Sequence, residues 1–144
     1  MKPKYKDLID SQNLTITCPP DDYKLNDEIE AVRWVINPIE NGLNFLPNHL
    51  YNLKRGTPVR VLSEPLKCGY CSLSFHTSVD ASTVAFHSLS SNLQQKLGYT
   101  HIATGVIEKA SGLMSDPHPI SRHFEFFEVK EISWVNKFVI SNPL

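Results

Sequence analysis

The stretch Lys67–Ser82, KCGYCSLSFHTSVDAS, contains the change of period on which the fold turns. From Gly69 to Thr77 the side chains alternate, with Cys71, Leu73 and Phe75 on one side and Tyr70, Ser72, Ser74 and His76 on the other. That period of two is a strand. At Ser78 the alternation stops. Ser78 is a good helix N-cap, Asp80 places a carboxylate in the first turn, and Val79, Phe86, Leu89, Leu93 and Leu97 build an apolar stripe that Gly98 closes. A strand running directly into a capped helix is expected.

Upstream, NLTITC (13–18) alternates and is rich in β-branched residues, so it reads as a short strand stopped by PPDD. Asn26 reads as an N-cap ahead of Asp27 and Glu28, and Ile29, Val32, Val35 and Ile36 recur at helical spacing. This predicts a helix over 27–36, ended before Pro38. The irregular section 37–58 carries three prolines and reads as a functional loop, or as one hiding a short helix around His49–Leu53. PVRVL (58–62) is a strand candidate. Downstream, 99–108 and 122–131 read as strands joined by the Pro-containing loop KASGLMSDPHPIS, and KFVI (137–140) as a last strand. The order predicts one α+β domain over residues 1–144, with a mainly antiparallel sheet, two principal helices, and residues 1–12 loosely held.

The chain has 144 residues, enough to bury a core without a metal or disulfide scaffold. Fourteen Lys and Arg stand against fifteen Asp and Glu, so no overall field draws nucleic acid or an anionic membrane, and near-neutrality favours self-association. No apolar run approaches the roughly 18 residues of a membrane-spanning helix. MKPKYKDLID has no apolar segment of a secretory signal, and three cysteines describe no disulfide framework, so free thiols in a reducing cytoplasm are expected.

Cys68 and Cys71 open three chemistries. CGYC resembles the active-site motif of disulfide isomerases of the thioredoxin superfamily, but that chemistry places the first cysteine at a helix N-terminus, and here a strand follows. Cys68, Cys71, His76 and His87 have the ligand types of a tetrahedral zinc site, and C-x2-C-x4-H matches the first three ligands of a zinc knuckle. The fourth position of that knuckle is Ala81, so zinc is not the favoured reading. His76-Thr77-Ser78 also fits one H-x-[ST] element of a two-histidine phosphoesterase, whose second element the sequence does not supply.

FHTSVDASTVAFHSL (75–89) resembles the Ser-Thr-Ser segment of ADP-ribosyltransferases, in which a strand ends in small hydroxyls and a helix follows. The resemblance implies a pocket for NAD shaped by Thr77 and Ser78, with Arg60 on its phosphates. It further implies a downstream catalytic carboxylate, for which Glu125 in SRHFEFFEVKE is the candidate. By strand alternation Glu125 and Glu131 share a face, and Glu128 points the other way.

Two features belong to no motif. The loop SDPHPISRH brings His118, Arg122 and His123 together as candidate binding residues. Phe124, Phe126 and Phe127 place rings on both faces of one strand, with Tyr99, Trp134 and Phe138 nearby in sequence. Either each face is covered or one is an interface. The expected function is a small cytoplasmic binding or accessory domain acting through protein contacts of this C-terminal aromatic-rich sheet, with a protein partner or a second copy. The alternative is a small ADP-ribosyltransferase-like or other nucleotide-handling enzyme.

Overall fold

The computed structural model describes residues 2–57 and 61–144. Its strands are β1 (Lys24–Leu25), β2 (Ile29–Val35), β3 (Leu73–His76), β4 (His101–Ile107), β5 (Gly112–Met114), β6 (His123–Glu128) and β7 (Phe138–Pro143). They pair throughout as antiparallel neighbours in one sheet of order β1-β5-β6-β3-β2-β4-β7. The helices are short: α1 (Lys6–Ser11), α2 (Asn48–Lys54), α3 (Glu64–Gly69), α4 (Val79–His87), α5 (Ser91–Leu97) and α6 (Trp134–Lys137). The α+β class with an antiparallel sheet is therefore as expected.

The helix expected over 27–36 is instead β2, paired rung for rung with β4 from Ile29↔Ile107 to Val35↔His101. Ala31, Val32 and Arg33 are consecutive and all buried, because both faces of this interior strand are covered. A strand buried on both sides loses its alternation, and the i, i+3 spacing of Ile29, Val32 and Val35 is then coincidence. Asn26 caps no helix. Its amide donates to the carbonyls of Asp27 and Glu108 and its oxygen accepts from the amides of Ser111 and Gly112, fastening the β4–β5 turn.

Residues 13–18 form no strand either. The amide and hydroxyl of Thr15 both donate to the Glu64 carboxylate at 2.8 Å, as does the Ile16 amide at 3.2 Å, so a side chain satisfies the backbone where a neighbouring strand was expected. Cys18 then joins Cys68 in a disulfide, which corrects the expectation of three free thiols. The segment expected to be loosely held carries α1, whose Ile9 is buried. Of the 58–62 strand candidate, residues 58–60 lie outside the described residues, and Val61 and Leu62 belong to no element.

Lys67–Ser82 turns from helix to strand to helix. Cys68 and Gly69 close α3, the alternation begins to form a strand only at Leu73, and the Ser78 hydroxyl accepts from the Ala81 amide at 3.1 Å to cap α4. The single helix expected from Ser78 to Gly98 is two, because Ser90 starts a second by accepting from the Leu93 amide, and Gly98 ends it at φ 72°.

One face of the sheet holds the aromatic core: Phe75, Phe124, Phe126 and Phe138, all at most 1% exposed, with Trp134 of α6 packed among them. Phe75 and Phe124 stack across the β3–β6 ladder with centroids 5.6 Å apart, and Phe75 meets Trp134 at 5.5 Å. Each such ring contributes on the order of 1.5–3 kcal/mol by burial alone. On the opposite face Phe127 packs with Ile9, Cys68 and Cys71 toward β5, while Trp34 meets Phe86 of α4 toward β4. Between these two apolar patches runs a polar strip.

Candidate functional site

The polar strip is set by the register of β3 and β6. His76 lies opposite His123 and Ser74 opposite Glu125, so alternation puts all four side chains on one face, at neighbouring rungs. The imidazoles of His76 and His123 are 5.7 Å apart, centroid to centroid, and Trp34 covers His76 from the other side at 5.9 Å. Burial, with His123 adding to it, lowers the His76 pKa to about 4. His123 is lowered by burial as well, with Glu125 opposing the shift and His118 adding to it. Two imidazoles so placed are both neutral near pH 7.

Glu125 accepts a hydrogen bond from the Tyr23 hydroxyl, and its backbone amide donates to Ser115 Oγ at 2.9 Å. Burial and the Glu125 carboxylate together raise the Tyr23 pKa, so the phenol keeps its proton and serves as donor. The carboxylate lies so close to the Cα of Gly69 that a β-carbon there would collide with it. Tyr23 and Gly69 therefore complete the strip. Neither was legible in the sequence, since Tyr23 and Glu125 are 102 residues apart.

The other candidates gather at one end of the β3–β6 pair without forming one pocket. The Thr77 amide donates to the Arg122 carbonyl at 3.1 Å, and the Arg122 amide to the His118 carbonyl at 2.9 Å. Thr77 is three residues past Ser74, so it belongs to the face opposite Glu125. Ser78 spends its oxygen on the helix cap. His118 is exposed, and its Nδ1 accepts from the amides of Ile120 and Ser121 at 3.1 and 3.2 Å, which leaves Nε2 to carry the proton and face solvent. Arg122 is exposed at φ 63°, while His123 is half-buried. Arg60 lies outside the described residues.

Cys68 is disulfide-bonded, Cys71 is a buried free thiol whose pKa burial raises to about 11, and His87 is exposed at the end of α4. Among the described residues no group of three His, Cys, Asp or Glu side chains is placed to hold a metal ion. Glu131 does not share the Glu125 face. It lies past the end of β6, 3.9 Å from Lys4, whose ammonium also sits 3.5 Å from Glu128.

The C-terminal aromatics offer no accessible ring surface. Phe124, Phe126, Phe127, Trp134 and Phe138 are all 5% exposed or less, so both faces of β6 are covered. What the C-terminal part of the sheet exposes is valine: Val106 on β4 and Val139 on β7, the latter 66% exposed. Val139 lies opposite Thr104, two residues before Val106, so the two valines share a face. No helix among the described residues is long and apolar enough to cross a membrane. No known protein family, curated protein or solved structure matches the chain.

Proposed function

We propose that the chain is an interaction domain that joins a second copy of itself along β7. The carrying observation is the contrast between the two edges of the sheet. β1 is two residues long and flanked by Asp21, Asp22, Asp27 and Glu28, which is how natural sheets blunt an edge. β7 runs six residues, Phe138–Pro143, with no charged side chain, and lies at the other end of the strand order. Its outer side offers backbone groups to a further strand. A two-fold antiparallel pairing of β7 with β7 sets no like charges opposite each other and brings Val139 of each copy under shared cover. The net charge of −1 opposes such association little.

Light scattering on the eluting protein tests this reading. The parent should run as a dimer at concentrations on the order of 10–100 µM, and Val139→Lys should run as a folded monomer whose Tm, unlike the parent's, does not depend on concentration. A parent that stays monomeric across that range overturns it.

A second reading is supported by the shared face of His76, His123 and Glu125. In it the chain is an ADP-ribosyltransferase-like or other nucleotide-handling enzyme that takes NAD, with Glu125 as catalytic carboxylate. NAD consumption by the parent that Glu125→Gln abolishes, the fold being intact, is the result it requires.

A further inference from the structure

The three cysteines of the chain meet in one place. On the sheet face opposite the aromatic core, Cys68 and Cys71 are buried together with Ile9 and Phe127, and Cys18 packs against the same cluster. Cys18 and Cys68 are joined, so one thiol, Cys71, remains beside the cross-link.

The end of α3 sets that thiol against Cys68. The Cys71 amide donates to the Cys68 carbonyl at 3.0 Å. A turn closed by such a bond keeps its end Cα atoms within about 7 Å, which overlaps the roughly 4.4–6.8 Å that a disulfide spans. The Cys71 thiol donates to the Lys67 carbonyl at 3.4 Å, so its sulfur sits against the peptide unit that leads into Cys68.

The two ends of the cross-link differ in access. Cys68 and Cys71 are 2% and 1% exposed, so a reagent in solvent is kept from Cys71 while a sulfur of its own cluster is not. Cys18 is half-buried and lines a cleft of about 200 Å³ with Ile9, Asp10, Asn13, Leu14 and Ile16. A thiolate leaving at Cys18 is therefore met by water. Burial raises the Cys71 pKa to about 11, which makes its thiolate scarce but strongly nucleophilic, since nucleophilicity rises with pKa.

We propose that Cys18, Cys68 and Cys71 form a thiol–disulfide exchange centre, with Cys71 as the internal nucleophile and Cys18 as the thiol it releases. The Cys71 thiolate attacks Cys68 Sγ, and a Cys68–Cys71 bond forms as the Cys18–Cys68 bond breaks. The electron pair leaves on Cys18 Sγ, which takes up the proton that Cys71 lost, so no oxidant or reductant is consumed. Residues 13–18 are then held to α3 only by the bonds of Thr15 and Ile16 to Glu64. The freed Cys18 thiolate, in its cleft, is the modification site for a low-molecular-weight disulfide: it attacks one sulfur, forms a mixed disulfide, and the other half leaves as a thiol.

The test is alkylation of the native, oxidised parent with iodoacetamide at mildly alkaline pH, followed by an acid quench and peptic mapping of label and disulfide. The label should fall on Cys18 in at least about tenfold excess over Cys71, with Cys68 joined to Cys71. The labelling rate should stay flat across urea concentrations below the unfolding transition, as exchange within the folded chain requires. Oxidised glutathione should likewise add to Cys18. Cys18→Ser, mildly oxidised, should close Cys68–Cys71 within the chain. Label or glutathione on Cys71 or Cys68, a rate that climbs with urea along the slope of global unfolding, no label on the folded protein, or a Cys18→Ser chain whose two thiols stay free would each overturn the proposal.

Discussion

Trp134 donates its indole N–H to Glu128 at 3.0 Å, with both side chains buried. This bond ties α6 to the last residue of β6. It also explains how a carboxylate is tolerated beneath an aromatic core: one oxygen is bonded, and Lys4 supplies a nearby charge to the other.

Trp134→Phe should therefore cost about 1–3 kcal/mol, because it leaves a buried acceptor unsatisfied while keeping most of the ring. Burial raises the Glu128 pKa above its ordinary value of 4.5 against the pull of Lys4 and Trp134. An acid with a raised folded pKa contributes stability that is lost as pH climbs from 4.5 through that folded value. Glu128→Gln should remove this slope, and chemical denaturation at a series of pH values reads it. A slope unchanged in the variant would contradict the assignment.

His76 acts with the opposite sign. It ionises near 6.5 when unfolded and at about 4 in the fold, so the folded chain binds fewer protons across that window. Stability should be full above pH 6.5 and decline as pH falls from 6.5 through 4, by at most about 3 kcal/mol. His123 adds to the decline, since burial lowers it too. His76→Asn should flatten the acid limb, and an acid limb as steep as the parent's would show that His76 is not its source.

The Cys18–Cys68 bond spans 50 residues and pins the segment before β1 to α3. Removing a cross-link of that length costs about 4 kcal/mol on the chain-entropy account. Cys18→Ser should lower Tm markedly and release residues 13–18 from α3. Cys71→Ser should do far less, since Cys71 forms no cross-link. Oxidised protein should show one thiol, alkylated slowly because burial raises its pKa to about 11. Protein taken from a reducing compartment should show three. Equal melting of the two serine variants would contradict the pairing.

The legible parts of the fold were those whose signal is local. The change from strand to helix at Ser78 is legible because a change of period and an N-cap serine lie within a dozen residues, and the cap forms as expected, although the strand starts only at Leu73 and the helix ends at His87. β2 carries a misleading helical spacing because burial on both faces erases its alternation. Residues 13–18 alternate like a strand but form none, because Glu64, about fifty positions away, takes the backbone donors that a neighbouring strand would take. The candidate site divided along the same line. His76, His123 and Glu125 could be named as chemically apt residues, but only the register of β3 against β6 makes them neighbours. Tyr23 gives no signal in the sequence, because its role arises from a contact made across the folded chain.

The edge strand is the centre of this account, and hydrogen exchange reads it directly. In an isolated chain the outward amides among Phe138–Asn142 face solvent and exchange fast, Pro143 having none. Exchange should be followed by mass spectrometry on peptides covering β7 and, as an internal reference, β3, over a series of protein concentrations. Paired β7 edges predict that protection of the β7 peptide rises with concentration while β3 stays constant, and that Val139→Lys abolishes the rise. Exchange at β7 that is independent of concentration, and identical in the parent and Val139→Lys, would contradict it.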